Sequence, residues 1–290
     1  MSVFIQEYVR MDSFTTFRVG GCARYFAAPS SYAELREALE WRATRDLPWF
    51  VLGRGSNLVV SDHGFPGLVI HLGRNFAANQ LNGNVLTCAA GCLLHSAVTL
   101  SVDAGFAGIE CLGGIPGTLG GGTYINAGAF GQELCQTIVQ VKSLNAEGKE
   151  ILRDNAACGF GYRHSNLMGR PEIITEVSLI LHPGDPEILR QQMLEILRKR
   201  RDKQPLDLPN AGSMFKRPAG GFAGVLIEQS GLKGFRVGDA AVSIKHANFV
   251  VNMGHATAQQ IWELTKRIIA KVQADHSVTL EREVIFLGDF

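Results

Sequence analysis

The stretch GIECLGGIPGTLGGGTYINAGAFG, Gly108 to Gly131, is dense in glycine and lies between segments that read as β-strands. Glycine weakens any strand it interrupts, so such a run is kept where backbone approaches something closely or takes φ values closed to other residues. A shorter run, GRGSN at 53–57, sits in PWFVLGRGSNLVVSD between two β-rich pieces, Pro48 to Leu52 and Leu58 to Val60. Both runs leave backbone N–H groups free to converge on an anion such as a pyrophosphate. Neither is a dinucleotide fingerprint or a P-loop, because GRGSNL lacks the third glycine of GxGxxG and no GKS or GKT occurs. Taken singly, each also reads as a tight turn.

The 290 residues are 46% apolar, include 33 glycines and carry a formal net charge of +1. That length supports a large core, in two modest domains or one large one. A charge so near zero gives no basic field of the kind that gathers nucleic acid, so no nucleic-acid partner is expected and any anionic ligand must be met by local cations. The cysteines at 22, 88, 92, 111, 135 and 158 form no CxxC pair and match no zinc spacing, so no metal site is expected and the thiols read as reduced and mostly buried. The opening MSVFIQEYVRMD carries charge within its first ten residues, and no later run approaches a membrane span. A cytoplasmic protein without a membrane partner is expected.

Outward from the glycine runs, Ser31 and Glu34 make a capping box for a helix with Leu35, Ala38 and Leu39 on one face. Short strands follow between about residue 80 and 183, as VLTCAA, IVQVKSLN and IITEVSLILHP, with a helix from Leu93 to Asp103 closed by Gly105. A connector helix starts near Pro186, carries Leu189, Met193, Ile196 and Leu197 at 3 and 4 spacing, and ends in RKRRDKQP, where Pro205 stops it. Thr257 and Gln260 cap a last helix lined by Ile261, Leu264, Ile268 and Val272, which leads into a closing strand, VTLEREVIFLG. The expected division is 1–75, 76–185, the connector 186–203 and 204–290, with the last strand able to return to the first part.

NAGSMFKRP, Asn210 to Pro218, leaves four roles open for Ser213: nucleophile, phosphate ligand, helix cap or surface turn. AGSMF lacks the second glycine of a nucleophile elbow, and a serine nucleophile would need a positioned base. Near the C-terminus, strand alternation puts Glu281, Glu283, Ile285 and Leu287 on one face. A carboxyl group among apolar side chains has its pKa raised and can stay protonated, while the reading of both glutamates as solvated stays open.

GRGSNLVVSD, GIPGTLGGGTYINAGAFG, GYRHS, NAGSMFKRP, LIEQSGLKGFRVGDAAVSIKHANFVVN and LEREV occur in an order and spacing that resemble the UDP-N-acetylenolpyruvoylglucosamine reductase family of bacterial cell-wall synthesis. The resemblance covers nearly the whole chain. It implies an α+β fold, with a two-part FAD-binding region of the vanillyl-alcohol-oxidase-like type and a C-terminal α+β substrate domain. The short gap before the connector helix implies the shorter subclass, which lacks an extra tyrosine-bearing loop. At Phe14, in SFTT, the chain departs from the polar residue many members carry.

What the resemblance implies for chemistry is an FAD enzyme, with NADPH as reductant, that reduces the enolpyruvyl ether of UDP-N-acetylglucosamine to UDP-N-acetylmuramate. In that role Ser213 protonates the enolate left by hydride transfer, Arg163 stabilises it as a cation and Glu283 as an acid. The cofactor would be met by Gly53, Arg54, Gly55, Ser56, Asn57 and Leu58 of the first run, by Gly114, Ile115, Pro116, Gly117 and Gly121 of the second, and by Asn126, Ala127 and Gly128 beyond it. The small-molecule substrate would meet Tyr162, Lys203, Asn210, Lys216, Lys233 and His246, with Lys203 also readable as a solvated helix end and His246 as a structural histidine. Another FAD-dependent oxidoreductase of the same fold, acting on a sugar or alcohol, is the alternative.

Overall fold

The three strands read between residues 80 and 183 join two further edge strands in a single antiparallel sheet, in the order Glu150–Asp154, Ile138–Asn145, Glu172–Ile180, Val85–Ala89, Asn79–Asn82. Its register lays Val141 beside Val177 and Val177 beside Cys88, and all three are fully buried, so one inward row crosses three strands. The structure is a computed structural model that describes residues 3–290. The chain divides into two compact units: one holds residues up to Gln6, Phe26–Arg54 and Leu68–Arg200, the other Glu7–Tyr25, Gly55–Gly67 and Arg201–Phe290. This is a different partition from the division expected by position along the chain, since 7–25 and 55–67 belong with the C-terminal residues.

In the first unit, Trp49–Leu52 pairs in parallel with residues 68–71. Helix α1 (Tyr32–Ala43) buries Leu35, Ala38 and Leu39, as its periodicity requires. Half of its capping box forms: the Ser31 hydroxyl accepts the Glu34 N–H, but the Glu34 carboxylate turns to the N–H and hydroxyl of Ser30 instead of the cap residue. Helix α2 (Leu94–Asp103) ends at Gly105, whose φ of +75° only glycine takes freely. After the short α3 (Leu119–Tyr124), α4 (Pro186–Lys203) buries Leu189, Met193 and Ile196. Arg153 and Glu172 meet in the sheet through two hydrogen bonds of 2.6 and 2.8 Å, both side chains nearly out of solvent.

In the second unit an antiparallel sheet runs in the order Asn210–Ser213, Phe249–Asn252, Ala240–Val242, Arg236–Val237. Helices α5 (Ala223–Gln229) and α6 (Ala258–His276) contribute to its core, which includes Phe17, Val59, Met214, Phe215, Ile227 and Ile261. A helix start leaves its first N–H groups without intrahelical partners. At α6 the Thr257 hydroxyl takes the Gln260 N–H, and the two oxygens of Asp62 take those of Ala258 and Gln259 at 2.9 Å each. The closing strand is shorter than expected. Only Ile285–Leu287 forms a strand, parallel to Leu58–Val60, because residues before it bond to a different segment.

Among the described residues all six cysteines are free, with Cys88, Cys92 and Cys158 buried and the others half-buried. No described helix is long and apolar enough to cross a membrane. Because Asp62 satisfies two N–H groups at once, Asp62→Ala is expected to lower stability by about 1–2 kcal/mol, in the range of a lost helix cap. Denaturant unfolding followed by circular dichroism checks it, and an unchanged midpoint would show that water replaces the carboxylate without loss.

Candidate active site

The two glycine runs meet. A Cβ on Gly53 would lie 2.5 Å from Thr118 Oγ1, and Thr118 caps α3 by accepting the Gly121 N–H at 3.3 Å. The first turn of α3 is spent on the protein, since Leu119 N–H donates to Cys92 and Gly120 N–H to Ala90. In GRGSN, by contrast, no described residue accepts from the N–H of Arg54, Gly55 or Ser56. The GIPGT segment packs behind Gly53, and the first N–H groups of α3 are taken up within the protein.

Gly55 has a second constraint. Its φ is +64°, and a Cβ there would strike the carbonyl oxygen of Phe14. Its closeness is to the SFTT backbone, so a branched side chain at 55 breaks the packing of the turn before it reaches any ligand.

Asn126, expected at the cofactor, is a structural clamp. It is fully buried, its Nδ2 donates to Glu133 and to the Gly161 carbonyl, and its Oδ1 accepts the Cys135 N–H, so its carboxamide has no donor left to give a ligand. What it does is hold residues 126–128 against the turn Gly161–His164, whose ends exchange hydrogen bonds of 3.0 and 3.2 Å. At the tip of that turn Arg163 takes φ of +51°, a conformation that strains a side chain of its size. Its Nη2 donates to the Gly128 carbonyl at 3.1 Å, and its guanidinium carbon lies 5.2 Å from the centre of the exposed Tyr162 ring. The expected catalytic arginine and the expected cofactor loop at Ala127 and Gly128 are thus in direct contact.

In the second unit Ser213 ends its strand half-buried, and Met214 follows it fully buried. Met214 N–H donates to Asn248 O, and Met214 O accepts the Glu283 N–H at 2.9 Å. Asn57 Nδ2 then donates to Glu283 O at 3.1 Å, and Ile285 N–H to Asn57 O. Glu283 is held on both sides of its backbone, one residue across from Ser213. Sequence alternation treated 281–287 as one strand, but the chain changes partner at Glu283, from residues 214–216 to residues 57–60.

Asn248 was not foreseen. Its side chain takes both the N–H and the carbonyl of Phe215, at 3.0 and 2.9 Å, as a neighbouring strand would. Only the interruption of an apolar run by a polar residue, AN before FVV, could have signalled it. Thr16 is a second such residue, its hydroxyl donating to Asn210 O at 2.7 Å.

Several expected substrate residues have other occupations. Asn210 spends its carboxamide on the Pro205 and Leu208 carbonyls and the Gly212 N–H, shaping its own loop. Asn248 N–H donates to His246 Nδ1, the ring packs 4.9 Å from that of Phe249, and burial first, then the Lys233 charge, holds the imidazole below its ordinary pKa, which is the structural reading. Lys216 pairs with Glu281 and Lys233 with Glu228, in part-exposed ion pairs worth about 0–1 kcal/mol, which a diphosphate can displace. Lys203 is exposed at the end of α4.

Residues 23–152 match a family described as an FAD binding domain, and residues 204–287 match the C-terminal domain of UDP-N-acetylenolpyruvoylglucosamine reductase. The first range contains both glycine runs, the second Ser213 and Glu283. The chain is 41% identical over 280 residues to the UDP-N-acetylenolpyruvoylglucosamine reductase of Heliobacterium modesticaldum, covering 96% of this chain and 89% of the relative. It is also 41% identical to that of a Synechococcus species, over 99% of this chain and 92% of the relative. The crystal structure of the Thermus caldophilus reductase superposes with a TM-score of 0.85 at 36% identity, covering 99% of both chains. The fold is accordingly the FAD-binding, vanillyl-alcohol-oxidase-like one. With likeness running the length of the chain in both sequence and fold, the chain belongs to the UDP-N-acetylenolpyruvoylglucosamine reductase family.

Proposed function

We propose that this chain reduces the enolpyruvyl ether of UDP-N-acetylglucosamine to UDP-N-acetylmuramate in peptidoglycan precursor synthesis, with Ser213, Arg163 and Glu283 as its catalytic residues. FAD, reduced by NADPH, supplies the hydride when bound. The observation that carries the residue assignment is the bond from Glu283 N–H to Met214 O, which fixes an acid and a serine as neighbours. The unspent N–H groups of GRGSN suit the cofactor's pyrophosphate.

Hydride delivery to the vinyl carbon leaves an enolate of the carboxylate, and the adjacent carbon then needs a proton. Ser213 Oγ gives it. An alcohol is a weak acid, but the carbon acid formed is weaker still, so the transfer runs downhill once the enolate exists. Arg163 receives the carboxylate oxygens with a planar fork that stays charged, and its strained turn presents that fork at the cost of local backbone energy. Glu283 adds a second hydrogen-bond donor through its carboxyl. Such fixed charges and donors, aimed where negative charge develops, are the usual largest contribution to lowering a barrier of this kind. Lys203, Lys216 and Lys233 supply the cations for the UDP diphosphate.

Two measurements test this. The flavin should be noncovalent, because no histidine or cysteine occurs in GRGSN or GIPGTLGGG, and acid precipitation should leave the yellow colour in the supernatant. Colour retained in the pellet refutes that. Ser213→Ala should leave flavin reduction by NADPH nearly intact and slow its reoxidation by the enolpyruvyl substrate by about a hundred-fold to ten-thousand-fold, the usual loss with a positioned acid. Ser213→Cys should keep more activity than the alanine variant. Stopped-flow absorbance follows the two half-reactions separately, and equal slowing of both, or of neither, removes Ser213 from the proton step.

A further inference from the structure

α4 carries an arginine whose charge nothing in the protein answers. Arg200 lies in its last turn, half-buried, with Nε wholly out of solvent and without a hydrogen-bond partner. Among the described residues no carboxylate pairs with it, and the nearby Lys199 already holds Glu195 at 2.7 Å. Burial alone lowers its pKa, with no neighbouring charge acting on it. A buried N–H without a partner on a charged group costs stability, and a counter-charge supplied from outside the chain would offset that cost.

Its surroundings point to the source. The side chain lies directly on Gly114, at the head of the GIPGT segment: a Cβ there would strike Arg200 Cδ and lie 2.9 Å from Nε. Gly114, without a side chain, leaves that space to Arg200. Leu197, one turn earlier, touches the same spot, and Met193 lies against Gly113. This apolar wall strips water from Nε, while the rest of the half-buried guanidinium keeps access to solvent or to a ligand.

We infer that Arg200 is a binding residue for the diphosphate of a nucleotide ligand, reaching its oxygens from beside the GIPGT segment. The inference rests on the proposed activity, whose ligands FAD, NADPH and the UDP-sugar each carry that group. A guanidinium fork matches phosphate oxygens in pairs and keeps its charge when buried, which an ammonium does less well.

The test compares wild type with Arg200→Met, which keeps length and packing on Gly114, and Arg200→Lys, which keeps charge but not the fork. FAD is titrated into the flavin-free full-length chain by fluorescence, and UDP-N-acetylglucosamine and NADP+ are titrated into the flavin-loaded protein. Arg200→Met should weaken one of the three by about 10- to 100-fold, the scale of a lost hydrogen bond to a charged group, and the ligand affected names the source. Arg200→Lys should fall between. The thermal midpoint of the flavin-free chain should not drop in Arg200→Met, because the variant removes an unanswered charge. A lower midpoint would mark Arg200 as structural and overturn the inference, as would unchanged affinity for all three ligands. Wild-type protein that takes up no FAD would instead bring down the proposed activity, and this inference with it.

Discussion

The hydrogen bond from the Glu283 N–H to the Met214 carbonyl is the constraint on which the second unit's chemistry depends. Every buried backbone donor and acceptor must find a partner, and residues 281–287 meet that demand by dividing their bonds between two segments far apart in sequence. Lys216 N–H and Met214 O take up Glu281 and Glu283, and Asn57 then takes over, leading into the parallel pair of 285–287 with 58–60. The serine and the acid therefore cannot shift independently. A change that loosened either segment would move both groups and the end of GRGSN together.

Asparagine does the supporting work in both units. Asn57, Asn126, Asn210 and Asn248 each use the side-chain amide to hold backbone that no strand or helix reaches. An amide offers both donor and acceptor at the end of a short side chain, so it can replace a missing ladder bond. Asn248 does so on both sides of Phe215 at once.

Local patterns were legible in the sequence and long-range approach was not. The helix from Ala258 to His276 carries its capping box and buries Ile261, Leu264, Ile268 and Val272 as read, because capping and 3.6-residue periodicity are local. Three strands of the five-stranded sheet, at 85–89, 138–145 and 172–180, were legible for the same reason, whereas the two edge strands, at 79–82 and 150–154, were not. The glycine runs were identified correctly as places of close approach, but sequence could not say to what: Gly53 approaches Thr118 and Gly55 approaches Phe14. Likewise, alternation across 278–288 describes one strand, whereas the chain exchanges partners there. Asn126 and Asn210 have the polar character of ligands, and only the structure shows that their carboxamides also bond the protein's own backbone.

Charge in the first unit shows the same logic from the other side. Arg153 is nearly buried, and the fold answers it with a bidentate carboxylate and the Ser143 hydroxyl, so this chain satisfies a buried guanidinium when its own stability is at stake. Arg282, in the second unit, is half-buried and rests on the Trp262 ring, with Nε donating to Thr265, which answers a guanidinium without a carboxylate. Arg200 has neither arrangement, although it lies at the end of a helix rich in charge. Of these three arginines only Arg200 has a buried Nε with no partner, and the negative charge it is proposed to meet is that of a bound diphosphate.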